Sequence, residues 1–241
     1  MGPALFFVRG LWNERFQPQV WEEPLDTLYG EAHRALQDDF GTTKLADFLD
    51  KHHVHRAIDE QDRAFIESRD MFFLSTVDEN GNPTVSYKGG PTGVVSVVGD
   101  STLAFPGYDG NGMFLSMGNI VGQGKVGLLF IDFETPHRLR VQGTARIVRD
   151  DPLQARYPEA QYIVRVEVET LWVNCPRYIH RYTKVEQSRY VPKDGKETPL
   201  AQWKRLDFVQ PVIADEDRAR VAAEGELDLG AYGELVARGQ G

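Results

Sequence analysis

Residues 163–173 read I-V-R-V-E-V-E-T-L-W-V, and this stretch decides the fold. Val164, Val166 and Val168 alternate with Arg165, Glu167 and Glu169, so an apolar side chain falls at every second residue. An extended chain sends successive side chains to opposite faces, whereas a helix would scatter these valines around its circumference. The stretch therefore predicts a half-buried strand of an antiparallel sheet, one face on a core and the other toward water.

Similar strands lie on its N-terminal side. Residues 71–77 are rich in strand formers, 78–83 (D-E-N-G-N-P) supply a tight turn, and 84–88 run extended, which reads as a hairpin. Further strands are expected at 93–98, 102–105, 125–132 and 139–148, with one helix interposed at 114–121. Leu128, Leu129, Phe130 and Ile131 form an unbroken apolar run, so that strand is expected to be covered on both faces. This many short strands around a single helix predict a small β-barrel rather than a parallel sheet. Upstream, 29–40 and 44–51 carry apolar residues at helical spacing (Leu45, Phe48, Leu49), with Thr42 or Thr43 as N-cap. Asp59 followed by Asp62 opens a third helix at 60–69. The first seventy residues read as a helical arm, and the tail after Pro211 as a surface helix with a glycine-ended terminus.

The chain has 241 residues, with 41% hydrophobic and 26% charged, which excludes wholesale disorder. Its 27 basic against 36 acidic residues give a net charge of -9, which repels nucleic acid and anionic lipid, so any anion site must be local. A lone cysteine, Cys175, excludes an intrachain disulfide or a cysteine-based metal cluster and suits a reducing compartment. No apolar run reaches the roughly 18 residues that a membrane helix needs. The apolar start at 4–8 lacks a preceding basic residue and a cleavage motif, so it reads as mature sequence of a cytoplasmic protein.

Twelve of the 23 glycines fall between Gly81 and Gly127. Within that segment Ser86-Tyr87-Lys88-Gly89-Gly90 closes a strand, and 105–113 (F-P-G-Y-D-G-N-G-M) leads into a helix carrying Ser116 and Asn119. Glycine lets backbone N–H groups face an anion and a helix N-terminus adds its dipole, so a phosphate fits there; glycines serving only hairpin turns are the plain alternative. Lys88 is the only cation before Lys125 in that segment. A second group is Arg138-Leu139-Arg140-Val141-Gln142, where alternation puts Arg138, Arg140 and Gln142 on one face. A third is 174–181 (N-C-P-R-Y-I-H-R). His52, His53 and His55 project in different directions with no carboxylate cluster following at ligand spacing, so no metal is assigned. Cys175 is read as a small packed residue rather than a nucleophile. Neither G-x-S-x-G nor a Walker or G-x-G-x-x-G pattern occurs, which removes the commonest hydrolase and nucleotide folds.

The blocks F-F-L-S-T-V-D-E-N-G-N-P-T-V-S-Y-K-G-G, L-A-F-P-G-Y-D-G-N-G-M-F-L-S-M-G-N-I, R-L-R-V-Q-G-T-A-R-I-V and V-N-C-P-R-Y-I-H-R, in this order, resemble the pyridoxamine 5'-phosphate oxidase-related, flavin-nucleotide-binding family. The resemblance implies a mainly β protein with α: an N-terminal helical arm (1–58), an antiparallel FMN-binding split β-barrel (59–185) and a C-terminal extension (186–241). It also implies a homodimer holding FMN at the subunit interface. Ser86, Tyr87 and Lys88 match the strand facing the flavin phosphate and ribityl chain. Tyr108, Asp109, Gly110, Asn111, Gly112 and Met113 match the phosphate loop, with Ser116 beyond it. Arg138 and Arg140 match the strand near the isoalloxazine edge, and 175–178, with Cys175 and Arg177, the block near the ring. The oxidase's Arg-Lys pair in the phosphate loop is replaced here by Gly112-Met113, so oxidation of pyridoxamine phosphate itself is not expected. The function read from this is an FMN-dependent oxidoreductase acting on a small-molecule substrate or electron donor. A non-catalytic flavin-binding or sensing protein is the alternative, and a related barrel holding deazaflavin or haem is a third.

Overall fold

The computed structural model describes residues 28–241, so the apolar start at 4–8 and much of the helical arm lie outside the described residues. The described chain forms two compact units, the first ending at Thr183 and the second running from Lys184 to Gly241.

The first unit opens with α1 (Glu31–Asp39) and α2 (Thr43–His53). Leu45 and Phe48, expected on the buried side, are exposed, and Ala46 is the buried residue of α2. The chain then forms β1 (Val54–His55), a two-residue strand with no counterpart among the expected strands. Next come α3 (Glu60–Glu67), β2 (Met71–Val77), β3 (Pro83–Gly89), β4 (Ser96–Val97) and β5 (Thr102–Gly107). They are followed by α4 (Leu115–Gly122), β6 (Lys125–Asp132), β7 (His137–Val148) and β8 (Tyr162–Val173). Asp59 caps α3 through the Asp62 N–H at 2.8 Å, as the sequence predicts.

All strands join one antiparallel sheet ordered β3-β2-β6-β7-β8-β5-β4, and β1 adds to the end of β8 that β5 leaves open. The alternation along β8 holds, with Val164 and Val166 fully buried. The curled sheet is a split barrel, mainly β with α. Its interior holds Phe72 between Phe105 and Phe130, ring centroids 4.9 and 5.6 Å away. Each such ring contributes about 1.5–3 kcal/mol by leaving water. Two expectations are corrected. Along β6 Val126, Leu128 and Phe130 enter the core, while Leu129 and Ile131 are half-buried on the other face, so the strand is not covered on both sides within one chain. Of 93–98 only Ser96–Val97 pairs as strand, although Val94 and Val95 are buried; Gly93 at φ +78 turns the chain before a ladder can begin.

The second unit carries α5 (Asp215–Glu224) and α6 (Leu229–Ala237), so the tail holds two helices rather than one. Leu200, Ile213 and Val221 form its small core. Lys204 donates to Asp217 at 2.8 Å beside it.

Candidate functional site

The β2–β3 hairpin is fixed by its turn. Asp78 Oδ1 accepts from the Asn80 and Asn82 N–H groups at 2.9 and 2.8 Å, and Gly81 takes φ +83, open only to glycine at little cost. The register then opposes Phe72 to Lys88 and Leu74 to Ser86. Directly opposed residues share a face, so Ser86 and Lys88 belong to the inner, core-facing side and Tyr87 to the outer.

At the inner edge α4 comes down on the sheet. Asn119 Nδ2 donates to Thr76 Oγ1 at 3.0 Å, and the Ser116 and Ser86 hydroxyls meet at 3.0 Å. The loop entering α4 is bare: Asp109, Gly110, Asn111, Gly112 and Met113 are exposed, Gly112 lies at φ +77, and Asn111 Oδ1 accepts the Met113 N–H at 3.1 Å. Phe114 occupies the N-cap in the left-handed region, φ 50, and supplies no capping side chain, so the first N–H groups of α4 keep no side-chain acceptor. Lys88 is half-buried on this side and makes no hydrogen bond or ion pair with any described residue. Desolvation alone holds its pKa below the usual lysine value.

The outer face carries a different set. Tyr87 pairs with Phe73, Phe73 with Leu129, Leu129 with Arg140, and Arg140 with Trp172, giving one row across five strands. Phe73, Leu129, Arg140 and Trp172 of this row line an open concavity of about 250 Å³, to which Val85 and Gln142 also contribute. Arg138 shares this face two residues from Arg140, and its Nε is buried without a partner. The alternation of Arg138, Arg140 and Gln142 against Leu139 and Val141 is as the sequence predicts.

The predicted residues therefore separate. Ser86 and Lys88 share the inner face, where Ser86 meets Ser116 of the helix that the 109–113 loop enters, whereas Tyr87, Arg138 and Arg140 occupy the outer face. Tyr108 belongs with neither: its ring packs in a satellite cluster with Ala104, Tyr157 and Ile163, where burial pushes its pKa up to about 12. Beyond β8 the chain turns back, Asn174 N–H donating to the Arg138 carbonyl at 3.4 Å and Arg181 Nε to the Glu134 carbonyl at 3.0 Å. Cys175 and Arg177 are exposed there, so the reading of Cys175 as a packed residue is corrected. A cysteine following the last paired strand residue has no core face left to enter. Phe73, Leu129 and Trp172 were not singled out from the sequence. Their signal is parity: each neighbours a core residue along its strand, but only the register shows that they form a row.

The pyridoxamine 5'-phosphate oxidase family model matches residues 58–183, just over half of the chain, and the chain belongs to this family. No curated protein matches it. Among solved structures it is similar to HupZ from group A Streptococcus, at 21% identity and TM-score 0.39, over 48% of this chain and 93% of that one. It is also similar to an FMN-binding protein from Syntrophomonas wolfei, at 14% identity and TM-score 0.40, over 58% and 97%. A third is HutZ, a haem storage protein from Vibrio cholerae, at 20% identity and TM-score 0.36, over 48% and 94%. No helix among the described residues is long and apolar enough to cross a membrane.

Proposed function

We propose that this chain is an FMN-dependent oxidoreductase of the cytoplasm, working as a homodimer on a small-molecule substrate or electron donor. The observation that carries the reading is Lys88, a half-buried ammonium with no counter-charge in a chain of net charge -9. Beside it stand two hydroxyls, Ser86 and Ser116, and a helix start with no capping side chain. Half-burying an unpaired cation costs free energy, and the arrangement is explained if a phosphate supplies the missing charge. Family membership supports FMN as the bearer of that phosphate. When bound, FMN supplies the hydride and electron chemistry; the protein's part is to bind, orient and shield it.

Lys88 and Arg140 face opposite sides of the same sheet, so one chain does not present both to one ligand. A second copy does, if its outer row lies against the inner-edge site of the first, and the implied role of Arg140 near the ring is consistent with that arrangement. Gly112 and Met113 leave the loop without cations of its own, which speaks against pyridoxamine phosphate as substrate.

The test is titration of the full chain, freed of bound cofactor, with FMN followed by flavin fluorescence. One equivalent per chain is expected, with at least tenfold weaker binding by Lys88→Ala, since a lost charge-assisted bond costs about 1.5–3 kcal/mol. Stopped-flow mixing of the complex with NADH or NADPH should bleach the flavin. Binding without bleaching by any donor sustains the flavoprotein and removes the oxidoreductase; no binding removes both.

A further inference from the structure

Where β1 meets α3, beside the end of β8 that β5 leaves open, His55, Asp59 and Asp62 each offer a ligand atom, all within 4.8 Å of one another. Along the sequence no carboxylate cluster follows the histidines at ligand spacing. Aspartates four and seven residues beyond His55 would share a face with it on one continuous helix, but the helix ends at His53 and a new one starts at Glu60, so the turn between them brings the three together.

We infer that this trio is a divalent transition-metal site that fastens the end of the helical arm to the barrel. His55 Nε2 lies 2.6 Å from Asp62 Oδ2, and Asp62 is 2% exposed. On its other side His55 Nδ1 stands 3.3 Å from the His53 carbonyl oxygen, an acceptor only. With the Nδ1 proton directed at that carbonyl, the Nε2 lone pair faces a carboxylate oxygen, and a positive centre must lie between them, either a second proton or a metal ion. An imidazole nitrogen oriented by a backbone carbonyl through its other nitrogen is the usual arrangement of a metal-binding histidine. The exposed Asp59 carboxylate completes three protein ligands and leaves one position for water. One nitrogen with two carboxylate donors suits zinc-like ions over calcium or magnesium, which favour all-oxygen shells. Tetrahedral bonds of about 2.0–2.2 Å set ligand atoms roughly 3.5 Å apart, so His55 and Asp62 must open by about 1 Å, a side-chain rotation rather than a backbone change. The site does not depend on the flavin reading.

Calorimetric titration of the chelator-treated full chain with zinc chloride tests the inference. One equivalent per chain with micromolar or tighter affinity is expected, together with a zinc-dependent rise in melting temperature. The decisive variant is Asp59→Ser, because serine keeps the N-cap of α3 while removing the carboxylate. It should fold and melt as wild type without zinc and lose at least tenfold in zinc affinity, and His55→Gln, which also removes the ion pair with Asp62, should lose zinc affinity by at least as much. If the wild-type chain binds no zinc at 0.1 mM, or if Asp59→Ser binds it unchanged, the trio is a capped helix with a His–Asp ion pair and the inference is wrong.

Discussion

Half-burying the Lys88 ammonium with no carboxylate beside it makes folding and ligand binding pull in opposite directions. Its pKa is lowered by desolvation, so between the folded value and the ordinary 10.5 the unfolded chain holds more of this proton than the folded one. The contribution of this residue to stability therefore rises with pH through that window, and below it the burial cost is present in full. Lys88→Met keeps the length of the side chain and removes the charge. Without flavin this variant should melt no lower than wild type at pH 7 and lack the alkaline gain, while its FMN affinity falls at least tenfold. Scanning fluorimetry from pH 7 to 10 reads the first effect and flavin titration the second. A clear drop in the flavin-free melting temperature shows instead that the lysine is paired in the folded protein. The sequence marks Lys88 plainly, as the sole cation of the glycine-rich segment. It also holds the parity that sends Tyr87 to the other face, but the family's motif groups neighbours irrespective of face. Tyr108 was illegible for another reason, since its ring is claimed by Tyr157 and Ile163, residues more than forty positions downstream.

At the scale of elements, β7 and β8 are the spine on which the outer row is hung, and their pairing contains a conflict. Arg146 stands directly opposite Arg165, and like charges in that position destabilise a ladder. The turn between the strands resolves it. Asp151, 4% exposed, accepts from Arg165 Nε at 2.6 Å and from Arg165 Nη2 at 3.1 Å, and also caps the 3-10 turn Pro152–Arg156 through the Leu153 N–H. The hydrogen-bonded Arg165 guanidinium holds the Asp151 carboxyl below its usual range. A depressed carboxyl contributes stability that is complete above the ordinary value near 3.8 and is lost as pH falls through the depressed one. Asp151→Asn leaves Arg165 half-buried beside Arg146 and should cost about 3 kcal/mol at pH 7 in urea unfolding, with the deficit shrinking toward pH 2. An equal deficit at both pH values assigns the loss to the turn instead. The long strands were legible because they are amphipathic with period two. Val54–His55 was not, because two residues carry no period, and they become a strand only where β8 outruns β5 and offers them a free edge.

For the whole molecule, the outer face asks for a partner. Tyr87 and Val85 are 63% and 65% exposed, and Phe73 and Leu129 beside them are only half-buried, so an apolar stripe crosses β3, β2 and β6, with Arg140 between it and the half-buried Trp172. A monomer seldom leaves such a stripe in water, and a self-complementary patch related by a twofold axis is the commonest way to cover one. Within one chain the apolar run of β6 is covered on one side only, because Leu128 and Phe130 face the core while Leu129 and Ile131 stay half-buried on the other; a single sequence does not reveal which side is left open, and a second copy is expected to cover it. Light scattering should give twice the chain mass of 27.2 kDa. Leu129→Glu places a carboxylate in the stripe without touching the core, since its neighbours Leu128 and Phe130 carry the packing. The expected product is a folded monomer by circular dichroism. Its FMN affinity should fall at least tenfold although Leu129 lies on the face opposite Lys88, because the groove then lacks the side supplied by the other copy. A monomeric Leu129→Glu that binds FMN like wild type shows the site to be complete in one chain, and Arg140 then has no part in holding the flavin.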